Sequence, residues 1–244
     1  MIRYVVIGVI AVVVILLCVC FSIANFSGEN YFVNLDKARR IRNSAGFSTY
    51  DFVLELNKRH FSNKLKLARA RRYEDHYSHG VVALSDETVS SDSLASIATI
   101  AHEIGHARQD FRGNKLEKLY RLRKIGKVFS VFVFPLMMIG TVLGALYAFG
   151  VLSEVVFLYI AIALVAVGLF GFFFVIFEKY KEIQIEKEAS KFAIVYLREY
   201  LSEEEILLCK EFLDSARLTY WADLFKNLLA WTFLTKKNKD WFWY

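Results

Sequence analysis

Apolar and polar residues are segregated into long blocks along this chain. Three runs, Tyr4 to Phe26, Val128 to Phe149 and Val155 to Phe177, each hold about 22 residues without a Lys, Arg, Asp, Glu or His. A helix rising about 1.5 Å per residue over such a run crosses the roughly 30 Å hydrocarbon layer of a bilayer. The pattern therefore predicts three transmembrane helices. The division that follows is an N-terminal anchor at 1–26, a polar part at 27–127, a hairpin of spans at 128–177 and a second polar part at 178–244. Pro135 falls inside the second run and predicts a kink there.

Within the polar parts the periods are shorter. Thr49 is a candidate N-cap for a helix over residues 50–60, and Ser90 to Ser93 supply cap chemistry ahead of Leu94 to Ala101, whose apolar positions repeat with helical spacing. Gly113 and Asn114 can end that helix. Val81 to Leu84, bounded by Gly80 and Ser85-Asp86, reads as a short edge strand, and the polar segment before it, Arg69 to His79, shows no clear period. After the third run the helical pattern continues from Glu178 to Tyr200, and Ser202 with Glu205 caps a last helix reaching about Phe233. The aromatic ending Trp241 to Tyr244 suits a lipid-water boundary. The fold class is mainly α.

Composition supports a chain divided between lipid and water. Hydrophobic residues make up 56% and charged residues 23%, with a mean hydropathy of +0.35. Charge adds an orientation. Of 31 Lys and Arg, 19 lie between Ser27 and Lys127 and 11 follow Phe177, while Arg3 alone precedes the first run. Both large polar parts are therefore expected on the cytoplasmic side of the cell membrane, in contact with anionic lipid. Ser22-Ile23-Ala24 resembles a signal-cleavage site, but the run before it is longer than a signal core, so a retained anchor is expected. The basic excess comes with no nucleic-acid-binding motif. Cys18, Cys20 and Cys209 form no disulfide framework, in keeping with a reducing compartment.

The chemistry is concentrated at His102-Glu103-Ile104-Gly105-His106. Placed at random, the 5 His and 16 Glu of 244 residues would produce H-E-x-x-H roughly 0.007 times. On a helix the two imidazoles lie one turn apart and can bind one zinc ion, with Glu103 beside it as general base and acid. Gly105, costly inside a helix, predicts a close approach by another backbone or a substrate. A catalytic zinc needs a third protein ligand. Position 112, where metzincins place a third His, is Arg112, so a carboxylate is expected. Candidates are Glu117, Glu178, Glu182, Glu186 and Glu188. Glu186 shares a helical face with Ala189, Ser190 and Ala193, small enough for close packing, and is the expected ligand; Glu182, on that same face, is its competitor.

These motifs, in this order, resemble the bacterial membrane neutral zinc metallopeptidases of the YugP type. The resemblance rests on Arg40 to Gly46, Asp75-His76-Tyr77, Ala83-Leu84-Ser85, the Ala101 to Ala107 helix, the two close spans and the E-x-x-A-S pattern at Glu186 to Ser190. It implies a zincin-like domain, a peptidase with endopeptidase activity, one Zn2+ per chain and Glu186 as ligand. It also implies protein or peptide substrates, including membrane proteins. Related membrane peptidases often carry Asp where this chain has Ser190. His76 or Tyr77 is a candidate donor to a developing oxyanion, and the strand at Val81 to Leu84 a candidate for pairing with extended substrate. The rival reading is a non-catalytic membrane scaffold or adaptor with a structural metal site.

Overall fold

Short polar side chains mark where several helices of this mainly helical chain begin. A computed structural model describes residues 18, 19, 22, 25–70, 74–113 and 115–229, so most of the first apolar run and the aromatic ending lie outside the described residues. The elements are α1 (25–40), α2 (Thr49–Phe61), β1 (Lys66–Arg69), β2 (His76–Ser78), β3 (Val81–Leu84), α3 (Asp86–Val89), α4 (Leu94–Gly113), α5 (Lys115–Ala148), α6 (Val155–Leu197) and α7 (Glu203–Leu229). The cap of α2 is Ser48, one residue before the predicted Thr49: its Oγ accepts the Asp51 N–H at 3.1 Å. Thr49 is instead buried, and its hydroxyl donates to the Ser91 carbonyl. Ser202 N donates to Glu205 Oε2 at 2.9 Å, the reciprocal capping arrangement expected at the start of α7. Glu205 also accepts the Ser44 N–H at 2.7 Å, which ties the 41–48 loop to α7.

The sheet corrects one expectation. Strand order is β1-β3-β2, with β3 parallel to β1 and antiparallel to β2. Val81 to Leu84 is thus the central strand, and both its edges are occupied, so it has no free edge to offer a substrate. Its run of apolar side chains fits that place, since Val82, Ala83 and Leu84 are all buried. Of the flanking strands, β2 lies within the Arg69 to His79 segment that shows no clear period and buries only Tyr77, while β1, exposed at three of its four residues, is not among the elements the sequence predicts.

The chain forms two compact units. One comprises Phe26–Lys118 with Glu182–Tyr220. Its core gathers Phe52 and Leu56 of α2, Val82 and Leu84 of β3, Leu94, Ile97, Ile100 and Ile104 of α4, Tyr196 and Leu197 of α6, and Phe212 of α7. Each such side chain stabilises the fold by about 1.5–3 kcal/mol when fully buried. Helix α4 is wrapped by neighbours, and 12 of its 20 residues are buried.

The other unit holds Leu119–Lys181, the apolar stretches of α5 and α6. Helix α5 continues on both sides of Pro135. It ends in a Schellman turn: Gly150 takes the left-handed conformation (φ 74°), its N–H donates to Tyr147 O at 3.0 Å, and the Val151 N–H to Leu146 O at 3.0 Å. Glycines bring the two helices together, since a Cβ on Gly140 would meet Ala161 O at 2.9 Å and one on Gly171 would meet Val133 Cγ2 at 2.9 Å. Both helices are long and apolar enough to cross a membrane, and only 12% and 22% of their most apolar windows are buried within the protein. A core helix of a water-soluble protein would be covered instead.

Candidate metal centre

Ser93 sets the start of α4: its Oγ accepts the Ser96 N–H at 3.2 Å. Two turns on, the helical repeat stacks His102 and His106, whose ring centroids are 4.7 Å apart and whose planes meet at 83°. Helix α6 brings Glu186 against both. Its Oε2 lies 3.1 Å from His102 Nε2 and 3.3 Å from His106 Nε2. One ligand atom from each of the three residues lies within 4.8 Å of the others, and the group could hold a metal ion. The other candidate carboxylates, Glu117, Glu178, Glu182 and Glu188, are not in it; Glu188 instead pairs with Lys115 at 2.8 Å.

The approach of α6 depends on Gly105. A Cβ there would overlap the carbonyl oxygen of Ala189 and stand 3.0 Å from its carbonyl carbon. Ala189 and Ala193 are fully buried, so the small residues expected on this face of α6 do pack closely and bring Glu186 to the histidines.

Each histidine is oriented through its other ring nitrogen. Gln109, buried and three residues after His106, has its Oε1 at 3.0 Å from His106 Nδ1, and its Nε2 donates to Ile185 O at 2.8 Å and to Glu188 Oε2 at 3.0 Å. With its amide nitrogen so committed, Gln109 Oε1 is the acceptor and His106 Nδ1–H the donor. Ser190 Oγ donates to Glu186 O at 2.9 Å and so faces His102 Nδ1, at 3.3 Å, as an acceptor. Both Nε2 atoms are thereby turned toward the centre, the orientation metal-binding imidazoles need. Sequence reasoning missed Gln109 in this role; its spacing of three from His106 was the available signal.

The electrostatics of the group favour positive charge. Burial disfavours a charge on His106, but its hydrogen bond and attraction to the Glu186 carboxylate prevail and raise its pKa to about 9. Burial likewise opposes charge on Glu186, yet the two imidazoles hold its carboxyl well below the usual range. A buried carboxylate clamped by two imidazoles calls for positive charge, which a divalent cation supplies. Two imidazoles, one carboxylate and no thiolate suit zinc with an open position.

Glu103 is buried beside this group. Burial pushes its pKa up, against the pull of His106 and His102, and the Tyr77 backbone N–H of β2 donates to its carboxylate. Neither expected oxyanion donor is free in the way foreseen. Tyr77 OH donates to Asp110 Oδ2 and accepts the Gly80 N–H, both at 2.8 Å, and His76 is exposed with Nδ1 at 2.7 Å from Glu74 O. Tyr77 contributes its backbone.

A family model described as "Putative neutral zinc metallopeptidase" matches residues 8–235. No curated protein and no solved structure matches the chain.

Proposed function

Since the chain belongs to the neutral zinc metallopeptidase family, we propose that it is a membrane-integrated endopeptidase that hydrolyses proteins or peptides at the cytoplasmic face of the cell membrane. The observation that carries this reading is the meeting of Glu186 Oε2 with both His102 Nε2 and His106 Nε2, with Glu103 buried alongside. His102, His106 and Glu186 would hold one zinc ion per chain. When bound, zinc supplies Lewis-acid polarisation of the scissile carbonyl and lowers the pKa of water toward about 7.

The remaining work falls to the chain. Glu103 accepts the proton of the attacking water and delivers it to the leaving amine. Its burial raises its proton affinity toward that task, while the Tyr77 N–H fixes its carboxylate. Gln109 and Ser190 keep the imidazoles turned inward. In this reading α5 and α6 cross the bilayer, and the first apolar run is a further, retained span; the Lys and Arg of both polar parts hold them on the cytoplasmic side.

The test is Glu103→Gln in the full chain. The variant is expected to retain about one zinc per chain and to lose at least about 100-fold in cleavage of an unfolded membrane protein. Undiminished cleavage would overturn the mechanism. Glu186→Ala is expected to lose the metal, and Glu182→Ala to keep it.

A further inference from the structure

Away from the metal centre, the ends of α2 and α4 and one face of α6 enclose a cleft of about 420 Å³ with a strongly cationic lining. Arg59, His60, Lys64, Arg108 and Arg112 all face it, with Tyr196 behind them. We infer that this cleft is a binding site for a phosphate group, either free inorganic phosphate or the glycerol phosphate moiety of an anionic lipid headgroup.

Charge balance is the first argument. Arg59 is answered by Glu55 and Glu199, each at 2.9 Å. Lys64, Arg108 and Arg112 make no ion pair within 4.0 Å among the described residues. Cations near the ends of helices commonly do no more than complement the negative helix terminus. That explains Arg59 in the last turn of α2 and Arg112 in the last turn of α4. It leaves out Lys64, which lies beyond the end of α2, and Arg108, which lies more than a turn before the end of α4.

Orientation is the second. The Arg108 guanidinium rests over the rings of Phe192 and Tyr196, 4.9 and 5.6 Å from their centroids, and donates to Tyr196 OH at 3.1 Å. Arg112 stacks on the same Phe192 at 5.4 Å. Two planar forks held on aromatic faces, with other donors left over, suit bidentate recognition of phosphate oxygens. The His60 ring packs on Tyr196 at 4.6 Å, and its Nε2 is shut off from solvent without a hydrogen-bond partner, 3.7 Å from the Glu199 carboxylate. Phe61 and Phe111 add apolar wall, which favours a phosphate carrying an organic group such as glycerol. None of this depends on the peptidase reading, because the metal ligands and Glu103 take no part.

The experiment uses the full chain in phosphatidylcholine nanodiscs and titrates inorganic phosphate and glycerol phosphate by calorimetry, with Arg108→Gln/Arg112→Gln as the variant. Saturable binding of either probe in the native protein, weakened about tenfold or more in the double variant, is the expected result. Tighter binding of glycerol phosphate assigns the cleft to a lipid headgroup, and equal or tighter binding of inorganic phosphate assigns it to the free anion. Absence of saturable binding, or equal binding by native protein and variant, overturns the inference. Lys64→Gln, an exposed change in a loop, repeats the comparison should the double variant fail to fold, and a severalfold loss is expected of it.

Discussion

Gln109 shows how a residue outside the H-E-x-x-H signature sets the behaviour of one inside it. Its amide nitrogen is spent on Ile185 O and Glu188, so its oxygen has one orientation and His106 has one tautomer. Gln109→Ala is therefore expected to lower zinc affinity about 10–100-fold, measured by competition with a chelator of known affinity. An unchanged affinity would mean that His106 is oriented by its own packing. Ser190→Ala should cost less, because a serine hydroxyl at 3.3 Å is a weaker acceptor than the Asp often found there in related membrane peptidases. The signature itself was legible because its chemistry needs only a spacing. Gln109 was not, since a buried Gln on a helix looks the same in sequence whether it orients a ligand or satisfies a backbone carbonyl.

Among the elements, the contact of α4 with α6 is the one on which the site depends. Two effects oppose each other at Gly105: alanine gains about 1 kcal/mol of helix propensity, but its Cβ would strike the backbone of Ala189, which cannot swing aside as a side chain can. Overpacking of this kind costs typically about 1–3 kcal/mol or more. Gly105→Ala is thus expected to lower the thermal midpoint and to release zinc by pushing Glu186 away. Gly113→Ala, with nothing within 4 Å of the added carbon, should keep the zinc and leave the thermal midpoint no lower. The need for a close neighbour at Gly105 could be read from its position between two ligands in a helix. The sheet could not: β3 has the apolar run of a strand, but its central place depends on partners too short and too exposed to show a pattern of their own.

At the scale of the whole molecule, the apolar stretches of α5 and α6 were legible because about 22 uninterrupted apolar residues make a helix long and apolar enough to cross a membrane without reference to any partner. The joining of residues 26–118 with 182–220 into one unit was legible only at its seam, where the small face of Ala189, Ser190 and Ala193 beside Glu186 called for close packing on the histidine helix; the remaining contacts of that unit left no local pattern. Topology can be measured directly. Ser153→Cys, in the turn between the two helices, is expected to react with an impermeant maleimide on intact cells, and Ser62→Cys only after the membrane is opened; the reverse would put the metal centre outside. Cys209 should stay silent in that experiment, for burial pushes its thiol up to about 12. One further consequence concerns the order in which the chain is made. His102 and Glu186 lie 84 residues apart with both apolar stretches between them. A ribosome that has finished α4 has produced two imidazoles and no carboxylate to complete them; that donor arrives only after the hairpin has been synthesised. On the peptidase reading, the chain would therefore gain its metal centre, and with it any activity, only once α6 has been made.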